Sequence, residues 1–392
     1  MRIALVAPLV APLRAAQAGG AQVVLCDLAR GLVARGEEVE VLAAPGSRVP
    51  GVRVRVVRGG LFPEARVHAA AAVGAAAGGP SASTARPPAG PRAGRPAAGT
   101  ATTLSEDLAA SWPAVQAAAY LGVAASLRAA RPDVVHAHAL DWPAFYALAA
   151  AGLPTVHTLH LGPLDPAAAA AARAAAGSAP RPRFVAVSRA CRAQWRGVVG
   201  VDAVIGNGVD PAVIPFSATP QRDLALVAGR IAPEKGTHLA IAAALRAGMR
   251  VALAGGVYDR AYFEEKVEPL LGPRVENLGP LAHRRLAALY GRAAVAVVAS
   301  LWEEPFGMVA VEANLAGTPV AGFARGALPE VVGAVGGVLT ATTTADALAE
   351  AIAAAISRDR RRVRAAAARR HPVERMVDRY LDLYRRAAGG RA

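Results

Sequence analysis

Short apolar runs of strand length alternate with segments of helical spacing along almost the whole chain, in two successive sets. The first set holds "IALVAPLV" (3–10), "EVEVLAAPG" (38–46), "VRVRVVRGG" (52–60), "PDVVHAHAL" (132–140), "LPTVHTLHLG" (153–162) and the run opening "RFVAVS". The second holds "LALVAGRI" (224–231), "RVALAGG" (250–256), "RVENLGPL" (274–281), "VAVVAS" (295–300) and "TPVAGF" (318–323). Between them lie helical stretches such as "AQVVLCDLARGLVARG", which stops on Gly36. Strands alternating with helices imply parallel sheets covered on both faces. The proline-bearing stretch "NGVDPAVIPFSATPQRD" (207–223) suits a linker, and 392 residues suffice for two cores. The expected architecture is therefore α/β, with two Rossmann-like domains facing a cleft. The first spans 1–215 and the second 216–375, and a C-terminal helix (376–392) is free to pack back on the first.

Residues 68–103 break the rhythm. The segment is rich in Ala, Gly, Pro and Ser and lacks large apolar side chains. It cannot bury enough surface to offset chain entropy, so it reads as a disordered insertion, with a substrate lid as the sharper alternative. The opening residues resemble a signal peptide superficially but read better as a buried strand and its loop. No run of transmembrane length is free of charge and proline, so contact with a membrane is at most peripheral.

The formal charge is +15, from 42 Arg and only 2 Lys against 29 acidic residues. With abundant Ala, Gly and Pro, this looks partly like compositional drift. Nucleic-acid binding would need a clustered stripe and a recognition module, and neither is present. Two cysteines, Cys26 and Cys191, supply no disulfide framework and no metal-ligand spacing, which fits a reducing, cytoplasmic setting.

The chemistry concentrates in "EEPFGMVAVEA" (303–313). Its position after "VAVVAS" puts Glu304 on a loop at a strand's carboxyl end, where ligands of open α/β sheets bind. A helix is expected to begin near Gly307 and stop at Gly317, with Glu312 one to two turns inside. The N–H groups of Gly307, Met308 and Val309 would then point out of the helix start, a setting for an anion. The flanking carboxylates suit neutral hydroxyls, as on sugars. Read alone, the pair is equally two solvated charges at a helix start. Upstream, "GRIAPEKG" (229–236) sends Arg230 and Lys235 from another strand end toward the same cleft. Lys235 stands out in a chain that otherwise uses Arg, as if a compact point charge were wanted. Two fixed cations would stabilise charge developing on a leaving diphosphate. The sequence contains no Asp-x-Asp, a usual handle for metal-bound diphosphate.

"GRIAPEKG", then "EEPFGMVAVEANLAGTPV", then "GALPEVV" resembles the retaining glycosyltransferases of family 4 (group 1), which have the GT-B fold. "AQAGGAQVVLCDLARGLVARGEEVEVL", "PDVVHAHAL", "TVHTLH", "AVSRA" and "IGNGVDP" extend the resemblance over nearly the whole chain. It implies that Glu304 contacts donor-sugar hydroxyls, Glu312 holds ribose hydroxyls, and Arg230 and Lys235 grip the diphosphate. It implies that Gly19 and Gly20 let the first loop close on the donor, and that His160 lines the sugar site. His157, earlier on the strand, is expected to share that face, and His138 to face the acceptor. The pattern departs at "RGALPE", where a bulkier Ala327 is expected to alter the donor pocket, and at Gly206 before Asn207. Neither change removes a charged group.

The implied activity is metal- and cofactor-independent transfer of a sugar, with retention, from a nucleoside-diphosphate donor to a small-molecule, lipid or glycan hydroxyl (an EC 2.4 hexosyltransferase). The rival enzyme reading is a nucleotide-sugar epimerase or phosphorylase of the same two-domain fold. A nicotinamide oxidoreductase lacks its Gly-x-Gly-x-x-Gly after the first strand. The intact donor pattern argues against a non-catalytic scaffold.

Overall fold

The computed structural model describes residues 1–14, 20–57 and 106–389. The segment 68–103 and Gly19 lie outside the described residues. Seven strands form the first sheet: β1 Arg2–Val6, β2 Glu38–Ala43, β3 Arg53–Val56, β4 Val134–Ala137, β5 Thr155–Leu159, β6 Arg183–Ala186 and β7 Ala203–Val204. Six form the second: β8 Gln221–Ala228, β9 Arg250–Ala254, β10 Val275–Asn277, β11 Ala293–Val298, β12 Val320–Phe323 and β13 Gly337–Thr340. Every pairing is parallel. This is the two-domain α/β architecture expected from the alternating runs. β7 and β13 were not anticipated: one is two residues long, and the other starts on glycine at a sheet edge and is mostly half-buried.

The strand orders are β3-β2-β1-β4-β5-β6-β7 and β10-β9-β8-β11-β12-β13. Each order reverses once, between β1 and β4 and between β8 and β11. Loops leaving the two strands at such a reversal diverge to opposite faces and open a crevice at the carboxyl end. That geometry positions the site.

The helices used below are α1 Gly20–Val33, α2 Glu106–Ala130, α3 Trp142–Ala151, α4 Pro166–Ala176, α5 Arg189–Gln194, α6 Thr237–Arg246, α7 His283–Arg292, α8 Met308–Leu315, α9 Leu328–Gly336, α10 Ala345–Ala355, α11 Arg360–Arg370 and α12 Val373–Ala388. Alternate side chains of β1 face opposite layers, as the pleat requires. Ile3 and Leu5 join α1 and α12 in one core, while Ala4 and Val6 join α2 and α3 in another. Among the described residues, no helix is long and apolar enough to cross a membrane.

Although last in sequence, α12 packs in the first domain. Val377 touches Gly31 of α1, and Asp378 accepts from Arg35 at 2.6 Å. Its Tyr384 hydroxyl bonds His136 Nδ1 at 2.5 Å, and its Tyr380 hydroxyl bonds Thr158 Oγ1 at 2.8 Å. His136 Nε2 bonds the same Thr158 oxygen at 2.7 Å, so β4, β5 and α12 share one sealed polar cluster. The chain crosses between domains at 210–217, where half-buried arginines of α11 hold it. Arg360 donates to the carbonyls of Ser217, Gly291 and Ala293, and Arg364 to those of Pro211, Ile214 and Leu315. Burial lowers Arg360 to about 10. These arginines are structural, so the basic excess is not all drift.

Tyr384→Phe should leave His136 Nδ1 buried without its partner and cost about 1–3 kcal/mol. Urea unfolding checks this, and an unchanged midpoint would show that the hydroxyl contributes nothing.

Candidate active site

β8 and β11 are neighbours, so the loops leaving them meet although their residues lie far apart in sequence. Gly236 allows this approach. It has φ +59°, and a Cβ there would lie 2.2 Å from the carbonyl oxygen of Ala299. The turn Pro233–Lys235 is thereby pressed against the end of β11. Lys235 Nζ bonds Glu304 Oε2 at 2.7 Å and lies 4.8 Å from the centre of the Trp302 ring. Ser300 Oγ and Trp302 Nε1 donate to the same carboxylate oxygen at 2.8 and 3.0 Å. Burial alone would raise the Glu304 carboxyl. The Lys235 charge and these three hydrogen bonds outweigh it and hold the group below the usual carboxylate range. An ammonium has three donors, so Lys235 keeps N–H groups for a further anion. Arg230 stands at the same strand end, bonded to Glu234 at 3.3 Å and lying 5.2 Å from the centre of the Tyr258 ring.

Helix α8 starts where the sequence suggested. Its N-cap Gly307 has φ +95°, and a Cβ there would press on Leu328 at 2.9 Å. The first N–H turned back into the helix is that of Ala310, donating to the Gly307 carbonyl at 3.0 Å. The amides of Gly307, Met308 and Val309 precede it. Gly20, the first residue of α1, approaches Met308 so closely that a Cβ would lie 3.0 Å from its Cγ. Two helix N-termini from different domains therefore meet, and both dipoles favour negative charge between them.

Glu312 lies on the buried side of α8, 7% exposed, and bonds His283 Nε2 at 3.1 Å. That hydrogen bond raises His283 despite its burial. Asp27 of α1 senses both groups across the cleft, and burial raises it to about 6. Sequence reasoning passed over His283, Asp27, Ser300 and Trp302. Only Ser300 and Trp302 carried a signal, their place beside Glu304.

His160 follows β5 at its carboxyl end and is half-buried, and its Nε2 bonds His138 Nδ1 at 2.8 Å. The structure corrects three expectations, for His157, His138 and Ala327. His157 does not share the face of His160, because an odd spacing along a strand reverses the side chain. It is 1% exposed, stacks on Phe184 and packs at a tilt against Phe145 inside the core. His138 does not face an acceptor: it is 2% exposed and sits behind His160. Ala327 does not line the pocket either. Its methyl group is in the core, and its N–H donates to the Glu304 carbonyl at 2.8 Å. The domains also touch directly. Ser188 Oγ donates to the Pro305 carbonyl at 2.6 Å, and Glu330 accepts from the N–H groups of Arg189 and Ala190 at the start of α5.

Residues 215–371 match the family described as glycosyl transferases group 1, and residues 82–213 match glycosyltransferase family 4. A glycogen synthase of Mycobacterium tuberculosis is 33% identical over 236 residues, covering 52% of this chain and 55% of that protein. The chain thus spans about half the length of the curated relatives it matches. Among solved structures, AviGT4, a glycosyltransferase involved in avilamycin A biosynthesis, superposes with TM-score 0.65 at 27% identity, covering 99% of this chain and 98% of its own. Anabaena Alr3699/HepE in complex with UDP and glucose superposes with TM-score 0.69 at 20% identity, covering 98% and 99%.

Lys235→Met should strand a buried carboxylate and cost about 3–5 kcal/mol at neutral pH. In the wild type, the depressed Glu304 contributes stability above its unfolded value of roughly 4.3, which is lost as pH falls through the folded value. In Lys235→Met, Glu304 is raised instead, so the penalty is largest at neutral pH and shrinks as acid protonates it. Lys235→Met/Glu304→Gln should recover most of the loss. Urea titrations at two pH values check this, and equal losses in single and double variants would show the pair to be incidental.

Proposed function

This chain belongs to the group 1, family 4 glycosyltransferases, and we propose that it works as one, moving a hexosyl group with retention from a nucleoside-diphosphate donor to an acceptor hydroxyl. The observation that carries this reading is the convergence of Arg230, the Lys235–Glu304 pair and the meeting helix starts at Gly20 and Met308. The diphosphate would lie between the helix starts, held by Arg230 and the spare donors of Lys235. Ribose hydroxyls would replace His283 on Glu312, and the sugar would lie against Glu304 and His160. In the reaction, the bond from the anomeric carbon to the phosphate oxygen breaks and its electron pair leaves with the diphosphate. The acceptor oxygen bonds the same face, and its proton passes to the departing phosphate oxygen. The protein contributes orientation and fixed charge.

The reading needs neither metal nor cofactor, since two cations already serve the leaving group. It places the protein in the cytoplasm, with free, buried Cys26 and Cys191, and gives it no nucleic-acid partner. The acceptor is a small molecule, lipid or glycan. The UDP and glucose held by Anabaena HepE support UDP-hexoses as the first donors to try.

A nucleotide-sugar panel with and without acceptors tests the proposal. Transfer should require acceptor, keep the anomeric configuration and survive EDTA. Epimerised sugar from donor alone would overturn it, and loss in EDTA restored by Mg²⁺ or Mn²⁺ would overturn metal independence. Glu312→Gln should weaken nucleotide binding by about 1.5–3 kcal/mol, seen as a higher donor Kd. Glu304→Gln should act mainly on kcat, because a carboxylate beside the reacting sugar stabilises the positive charge of the transition state. Calorimetry and single-turnover rates separate the two. If both folded variants behave as wild type, the site assignment fails.

A further inference from the structure

The buried histidines behind the site form an ordered stack that the proposed reaction does not itself use. His138 is sealed from solvent, with Nδ1 on His160 Nε2 at 2.8 Å and Nε2 without any hydrogen-bond partner among the described residues. Its other flank rests on His136, ring centres 4.2 Å apart, and His136 is held at both nitrogens by Thr158 and Tyr384. Nδ1 of His160 differs: it makes no hydrogen bond to the described residues and is not among the sealed, unpartnered atoms. It therefore has no partner among the described residues, at the carboxyl end of β5.

A neutral imidazole carries one N–H, so the short contact admits two arrangements. If His160 donated from Nε2, the proton of His138 would sit on its own Nε2, a sealed N–H with no acceptor. If His138 donates from Nδ1, its Nε2 is only a bare acceptor. Orphaned buried N–H groups are the rarer and costlier case. We propose that His138 is a positioning residue that donates its Nδ1–H to His160, fixing His160 as the Nδ1–H tautomer so that it presents a hydrogen-bond donor to a sugar oxygen of the bound donor. Burial supports the same scheme: it lowers His160 to about 4 and His138 well below the ordinary histidine value, so both rings are neutral at working pH and the tautomer is what matters. The α12 helix belongs to this device, because Tyr384 and Tyr380 hold the layer on which His138 rests. The inference rests on the proposed sugar transfer for its catalytic consequence but not for its tautomer.

The experiment uses the full chain labelled with ¹⁵N-histidine, the His160 signals being assigned by their loss in His160→Asn. The wild type should show His160 with its proton on Nδ1. His138→Phe should release it toward the Nε2–H form and lower kcat about tenfold, the effect of one neutral hydrogen bond at the reacting sugar. Its Kd for UDP, which carries no hexosyl group, should stay unchanged. His138→Asn, whose amide N–H can stand in for Nδ1–H, should keep the wild-type signature and most of kcat. A wild-type His160 protonated on Nε2, or an unchanged kcat in a folded His138→Phe, overturns the proposal. If His138→Phe does not fold, the wild-type and His138→Asn spectra decide alone. If no nucleotide sugar is turned over, the function reading fails while the tautomer result still stands or falls separately.

Discussion

The ion pair between Lys235 and Glu304 organises the site around it. Two charges largely withdrawn from water are tolerable only when each has its partner and further hydrogen bonds. Glu304 therefore draws in Ser300 and Trp302 as well as Lys235. That demand ties the loop after β8 to the loop after β11 and fixes where α8 begins. Lys235 keeps its ammonium at the cleft because Glu304 anchors it there, and the same carboxylate stays ionised because of Lys235. The pair is thus both a structural clamp and a source of fixed charge for a ligand.

The second organising feature is the traffic between domains. The chain leaves the first domain through a segment held by Arg360 and Arg364, builds the second, and returns in α12. The helix supplies hydrophobic surface to the first core and hydroxyls to its buried histidines. Contacts across the cleft, from Ser188 to Pro305 and from Glu330 to the start of α5, add a direct seam. Residues far apart in sequence are in this way held in fixed relation to one another.

Much was legible beforehand because it rests on local pattern. Apolar runs announced eleven of the strands, and the turn chemistry of Pro305 and Gly307 announced the start of α8. What was missed depended on partners. β7 is too short to carry a periodic signal, and β13 starts on glycine at a sheet edge and is mostly half-buried. His157 and His160 look equivalent as letters, yet the pleat sends one into an aromatic stack and the other to the cleft. His283 has no motif at all and enters the site only because α7 lies beside α8.

By itself, the sequence determined the parallel α/β class, the division into two sheets and the strand ends that carry charged side chains, because each follows from spacing along the chain. Only the tertiary structure decided that Lys235 meets Glu304, that His138 stands behind His160 and that α12 closes the first domain. Those are pairings between distant segments, set by strand order and the packing of whole layers, and no local periodicity encodes them.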